Sequence, residues 1–178
     1  MPETVLPITV MSQERNLWCW AAVASGVSFS GIAGGLPRVQ CDIVTAVNNA
    51  ARFAISGSAC AEPDRHNNEG DLVDAFGAVG IVATPVNVVM RLPSASQVMD
   101  DIVARARPVG VRLNNRNTGA GHFVLVVGCD PAQGTVIVAD PNGNFGQPAP
   151  LYRMRFDDMV NRYGEGGWGT CTDLFHLA

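Results

Sequence analysis

Cys19 stands six residues after Gln13, in the run Gln13-Glu14-Arg15-Asn16-Leu17-Trp18-Cys19-Trp20-Ala21-Ala22. Far along the chain, Gly121-His122 opens the apolar run Phe123-Val124-Leu125-Val126-Val127-Gly128, and Asp140-Pro141 closes the next one. These residue types could supply a thiol nucleophile, its base, an orienting carboxylate and an oxyanion donor. A cysteine attacks only as thiolate, so it needs a base and a positive field. The imidazole needs a third group to hold its ring. The oxyanion that forms on the carbonyl needs fixed donors. Cys19, His122, Asp140 and Gln13 match those four tasks in that order. Taken singly each signal is ordinary: a cysteine beside a tryptophan is usually core, a strand histidine is usually structural, and Asp-Pro often only starts a turn. The joint occurrence carries the reading.

The Cys-Trp-Ala-Ala start with Gln at minus six and the Gly-His-Phe-Val strand resemble the papain-like cysteine peptidases. The similarity is strongest to small bacterial members, including the avirulence proteases that plant pathogens inject into host cells. It covers the surroundings of Cys19 and the region from about Pro108 to Asp140. It implies Cys19 as nucleophile, His122 as base, Gln13 as oxyanion side chain and Asp140 as the third member. Papain carries Asn there, followed by Ser-Trp. This chain has Asp140-Pro141-Asn142, so Asn142 is the runner-up. The implied fold is a two-lobe α+β one, with a helical lobe packed on an antiparallel β lobe and the site in the cleft between them. Other thiol hydrolases share the order Cys, His, Asp: cell-wall amidases, deubiquitinase-like enzymes and acyltransferases. A papain fold kept as a silent binding module is a further alternative.

Composition narrows the class. The chain has 178 residues, 47% hydrophobic and 16% charged, with net charge −4 and pI near 5.2. A single domain spanning 1–178 is expected, with a helical lobe over about 12–107 and a β lobe over about 108–178 plus the N-terminal arm. No basic stripe with interleaved aromatics occurs, which speaks against nucleic acid as partner. No apolar stretch reaches membrane-spanning length. Met1-Pro2-Glu3-Thr4 lacks the basic region and apolar run of a signal peptide. The expected location is the bacterial cytoplasm at synthesis, with export or injection without a cleaved signal. Cys19 lies so close to Met1 that no inhibitory propeptide is expected. Control would then fall to export, host activation or an inhibitor or immunity protein. The expected partner in catalysis is a polypeptide, and no cofactor is expected.

Five cysteines leave four beside Cys19: Cys41, Cys60, Cys129 and Cys171. Four cysteines allow three pairings, among which sequence does not choose. With no signal peptide, the expectation is four unpaired, buried small hydrophobes. No Cys-x-x-Cys or His-rich spacing suggests zinc.

The elements must bring these residues together. Thr4 to Met11 reads as a strand or extended arm. Asn16 is an expected N-cap for a helix that carries Cys19 in its first turn, where orphan amides and the macrodipole favour a thiolate. That helix fades at Ser28 to Gly31. Val39–Phe53 and Glu69–Val79 read as helices, Ile81–Met90 as a strand, and Ser94 with Gln97 as a capping box for a helix to about Arg105. Pro108–Leu113, His122–Cys129, Thr135–Ala139 and Leu151–Phe156 read as strands, Asp157–Tyr163 as a short helix, and Thr170–Leu177 as a closing strand. Helices followed by strands indicate α+β. His66 and His176 are expected to be structural. Trp18 and Trp20 are expected to pack the helix start, and Trp168 to enter the core.

Overall fold

Three Val-rich runs form the centre of the molecule: β3 (Val109–Asn115), β4 (Gly121–Asp130) and β5 (Thr135–Ala139). β-branched side chains suit a pleated, packed surface. Phe123 through Cys129 are all buried, with no alternation. Such a strand is covered on both faces, and both α1 and α4 pack against β4. The computed structural model describes residues 2–50, 57–88, 94–164 and 167–178.

Among the described residues seven strands form one sheet: six in the order β2-β7-β3-β4-β5-β6, and β1 beside β4, every pair antiparallel. β2 is Ala83–Asn87, β6 Leu151–Arg155 and β7 Gly169–Leu177. β1, only Thr4–Val5, pairs with Cys129 and Gly128 where β3 has ended. A Cβ at Gly128 would lie 2.7 Å from the Thr4 carbonyl oxygen, so only glycine admits β1 here. The expected arm up to Met11 is thus mostly irregular, with one further bridge from Met11 to Pro148. β2 also departs from expectation. It lies before residue 107, yet it joins the sheet through β7.

The helices are α1 (Cys19–Ser30), α2 (Gln40–Ala50), α3 (Leu72–Ala78), α4 (Ala95–Val103) and α5 (Phe156–Asn161). In α1 Cys19 through Ala24 are all buried, as expected of a helix apolar on every side. It stops at Gly31, whose φ of 70° is the left-handed conformation of a C-cap. α3 starts later than expected because the Asp71 side chain accepts from the Val73 amide and fixes the N-cap there. The Ser94–Gln97 capping box forms as the sequence indicates. The expected ends of α2 at Phe53 and of β2 at Met90 lie outside the described residues. The α+β architecture holds: helices at the N-terminal side pack on an antiparallel sheet.

The cysteine expectation is corrected. Cys41 and Cys60 are joined in a disulfide, while Cys19, Cys129 and Cys171 are free and buried. Cys41 is on α2 and Cys60 on the loop that follows it, and their Cα atoms are 4.9 Å apart, well inside bridging range. Only the three-dimensional path of that loop brings them together.

Candidate active site

α1 begins with Cys19, and the N-cap is Trp18 with no side-chain hydrogen bond. This corrects the expectation that Asn16 caps the helix. Asn16 is engaged elsewhere: its carbonyl accepts from the Gln13 side chain. The uncapped start leaves first-turn amides unclaimed, and among the described residues the Cys19 N–H has no backbone acceptor. Trp18 and Trp20 fix this turn as expected. Both are buried, and their indole N–H groups donate to the carbonyls of His66 and Asn68.

His122 enters from the start of β4. Its Nε2 lies 2.6 Å from Asp140 Oδ1. His122 lines a small hollow of about 120 Å³ together with Cys19. Burial alone pulls the imidazolium pKa down. The hydrogen bonds and negative charges of Asp140 and Cys19 outweigh it and raise the pKa to about 9. The rings of Trp168 and His122 are nearly perpendicular, at 87°, with centroids 6.0 Å apart, and Trp168 is 38% exposed. Trp168 therefore covers the imidazole from outside and does not enter the core, contrary to expectation. Its chain position far from Asp140 hid this role.

Asp140 follows β5. Three donors hold its carboxylate: His122 and the Asn142 amide at Oδ1, and the Tyr163 hydroxyl at Oδ2, 2.8 Å away. Burial pushes this carboxyl pKa up, and the His122, Asn142 and Tyr163 contacts more than reverse it, so the net shift is downward. The contact to His122 comes from Asp140, while Asn142 supplies only its backbone N–H. Tyr163 is the residue that sequence reasoning missed. No spacing motif marks it, because it reaches Asp140 from beyond α5 through an isolated bridge to Gly169.

Gln13 lies in the same cleft, beside His122 and Asn16 in a hollow of about 390 Å³. Its backbone N–H donates to the Pro141 carbonyl, which ties it to the Asp140 turn. Its side-chain nitrogen donates to the carbonyls of Arg15 and Asn16, at 3.0 and 2.7 Å. Both protons are thus used within the loop, and the amide does not stand free. Buried Gln40 clamps the residues on either side, donating to the Ser12 carbonyl and accepting from the Glu14 amide. A larger hollow of about 660 Å³ opens behind Asp140, beside Tyr152 and Tyr163. It is not lined by Cys19 or His122, so it is not where a thiol would react.

His66 and His176 are outside the site, as expected. His66 is fully buried against Asn48, and His176 pairs with Asp101 on the far part of the sheet. Cys41, Asp42 and Cys60 place three metal-competent atoms within 4.8 Å of one another. The two sulfurs are bonded to each other, and metals bind thiolates. Among the described residues no helix is long and apolar enough to cross a membrane.

No curated protein sequence matches this chain. Among solved structures it is similar to the crystal structure of the Pseudomonas avirulence protein AvrPphB. That match has 13% identity and a TM-score of 0.44, over 95% of this chain and 96% of that one. The family model described as Peptidase_C39 like matches residues 5–165, a span that holds Gln13, Cys19, His122, Asp140 and Tyr163. That span is most of the chain, and the chain belongs to the Peptidase_C39 like family.

Proposed function

We propose that this chain is a cysteine endopeptidase working through Cys19, His122 and Asp140. The observation that carries the reading is His122, hydrogen-bonded to the Asp140 carboxylate and lining one hollow with Cys19. The Cys19 thiolate attacks the carbonyl carbon of a peptide bond. The Cys19 N–H and the Gln13 amide receive the oxyanion. Gln13 reaches it by giving up its bond to the Asn16 carbonyl. His122 Nδ1–H protonates the departing amine as the C–N bond breaks. Neutral His122 then takes a proton from water, whose oxygen attacks the acyl-thioester carbon and expels Cys19 as thiolate. Asp140 holds the ring and balances the imidazolium charge, and Tyr163 holds Asp140.

The reading extends to a secreted effector or toxin acting on a polypeptide, with an inhibitor or immunity partner at home. The Cys41–Cys60 disulfide supports export, since such bonds persist in oxidising surroundings. The test is labelling by a peptidyl epoxide that mimics an extended substrate, followed by mass spectrometry, together with cleavage of casein. An adduct on Cys19 and casein cleavage lost in Cys19→Ala support the endopeptidase. No adduct, combined with lysis of purified cell wall, moves the chain to the amidases. Neither activity leaves a silent binding module.

A further inference from the structure

The reaction above leaves Arg112 without a task, although it stands beside the reacting pair. Arg112 is on β3 opposite Phe123 of β4. Its guanidinium carbon lies 5.9 Å from the centre of the Phe123 ring. A Cβ at Gly121, the residue before His122, would be 3.6 Å from Arg112 Nε. That Nε is shut off from solvent and has no hydrogen-bond partner. Two residues on, Asn114 Oδ1 is likewise buried and unsatisfied, 3.8 Å from the same Gly121 position. Native proteins leave few such groups without a reason, because each carries a desolvation cost.

The surroundings show what the guanidinium lacks. Among the described residues no carboxylate forms an ion pair with Arg112. Asp173 is its register neighbour on β7, but its carboxylate accepts from Asn87. Glu69 is exposed at the rim of the hollow and stays unpaired with it. The hollow measures about 120 Å³ and is lined by Cys19, Trp20, Gly70, Arg112 and His122 among others. It therefore joins the cation to the reacting atoms. A guanidinium on an aromatic face presents a planar fork that matches a carboxylate.

We propose that Arg112 forms the base of a substrate subsite that takes an acidic side chain, aspartate or glutamate, next to the scissile bond. The inference rests on the endopeptidase reading. A carboxylate in the hollow meets the guanidinium charge. A neutral residue of the same shape leaves that charge unpaired, and the difference is the selectivity. The small volume admits a short side chain and excludes an aromatic one.

A set of quenched-fluorescence peptides tests it, with Asp against Asn and Glu against Gln at the positions flanking the cleaved bond. For the wild type, kcat/KM should favour the acidic member of a pair by about 10- to 100-fold. Arg112→Gln should abolish that ratio, and Arg112→Lys should keep part of it. Equal cleavage of the Asp and Asn peptides by the wild type, or an unchanged ratio in Arg112→Gln, overturns the subsite and leaves the endopeptidase standing. If the wild type cuts no peptide in the set, the endopeptidase reading falls and takes the subsite with it. Should Arg112→Gln not fold, binding of the Asp and Asn peptides to Cys19→Ala protein decides the matter, and equal affinities overturn the proposal.

Discussion

Between pH 6.5 and about 9, folding changes the state of His122: a free imidazole is neutral there, and the folded one holds its proton. A raised folded pKa stabilises the fold fully below 6.5, and that contribution is lost as pH rises through about 9. The leaving amine needs the same proton, so kcat/KM should fall on the alkaline side near pH 9. Asp140→Asn removes the charge that holds the proton, and the alkaline limb should move to lower pH. A limb that stays in place would separate Asp140 from the imidazole. Cys129 and Cys171 are pushed up, each mainly by burial with a nearby carboxylate adding to it, Cys171 to about 12. Cys19 alone of the three free thiols faces an imidazolium, so iodoacetamide at mildly acidic pH should label it first. Gln13 carries a sharper expectation. Losing an oxyanion donor costs about 100- to 1000-fold in kcat with little change in KM. If Gln13→Ala instead raises KM alone, its bonds to the Arg15 and Asn16 carbonyls shape the substrate cleft and nothing more.

At the scale of elements, the loop after α2 grips the turn that carries Cys19. Asp64 pairs with Arg15, Asn67 accepts from the Leu17 amide, and the carbonyls of His66 and Asn68 hold the two indoles. The Cys41–Cys60 disulfide ties that loop to α2 across a separation of 19 residues. Chain-entropy arguments put such a cross-link at about 3 kcal/mol. Cys41→Ser with Cys60→Ser should lower the urea-unfolding free energy by about that amount and slow proteolysis, because the grip on residues 15–20 loosens. An unchanged urea midpoint would show that the side-chain contacts hold the loop unaided.

For the whole molecule, the proposed nucleophile sits on a helix and its proposed base on a sheet, so the site we propose exists only while α1 stays packed on β4. Leu125 is fully buried in the middle of β4. Leu125→Ala should cost about 2–5 kcal/mol through lost burial and the cavity left behind. Thermal unfolding and Cys19 labelling followed together should show one transition. Labelling selectivity lost well below the melting temperature would mean that the two halves separate before they unfold.

The proposed nucleophile, base and carboxylate, Cys19, His122 and Asp140, stand out in the sequence because each sits where an element begins or ends and the surrounding pattern is strongly apolar. Val-rich runs gave β3, β4 and β5, and Ser94 with Gln97 gave the start of α4, since capping and strand packing are local chemistry. Other features depended on residues distant in sequence. Tyr163 meets Asp140 across 23 positions, Trp168 reaches His122 from beyond α5, and Cys41 finds Cys60 only after the loop has folded back. Asn16 looked like an N-cap on local grounds and lost that place to Trp18, whose indole is fixed by the carbonyl of His66. Local signals set which residues could react. Tertiary packing decided which of them meet, what shields them, and that an arginine without an ion pair among the described residues stands beside them.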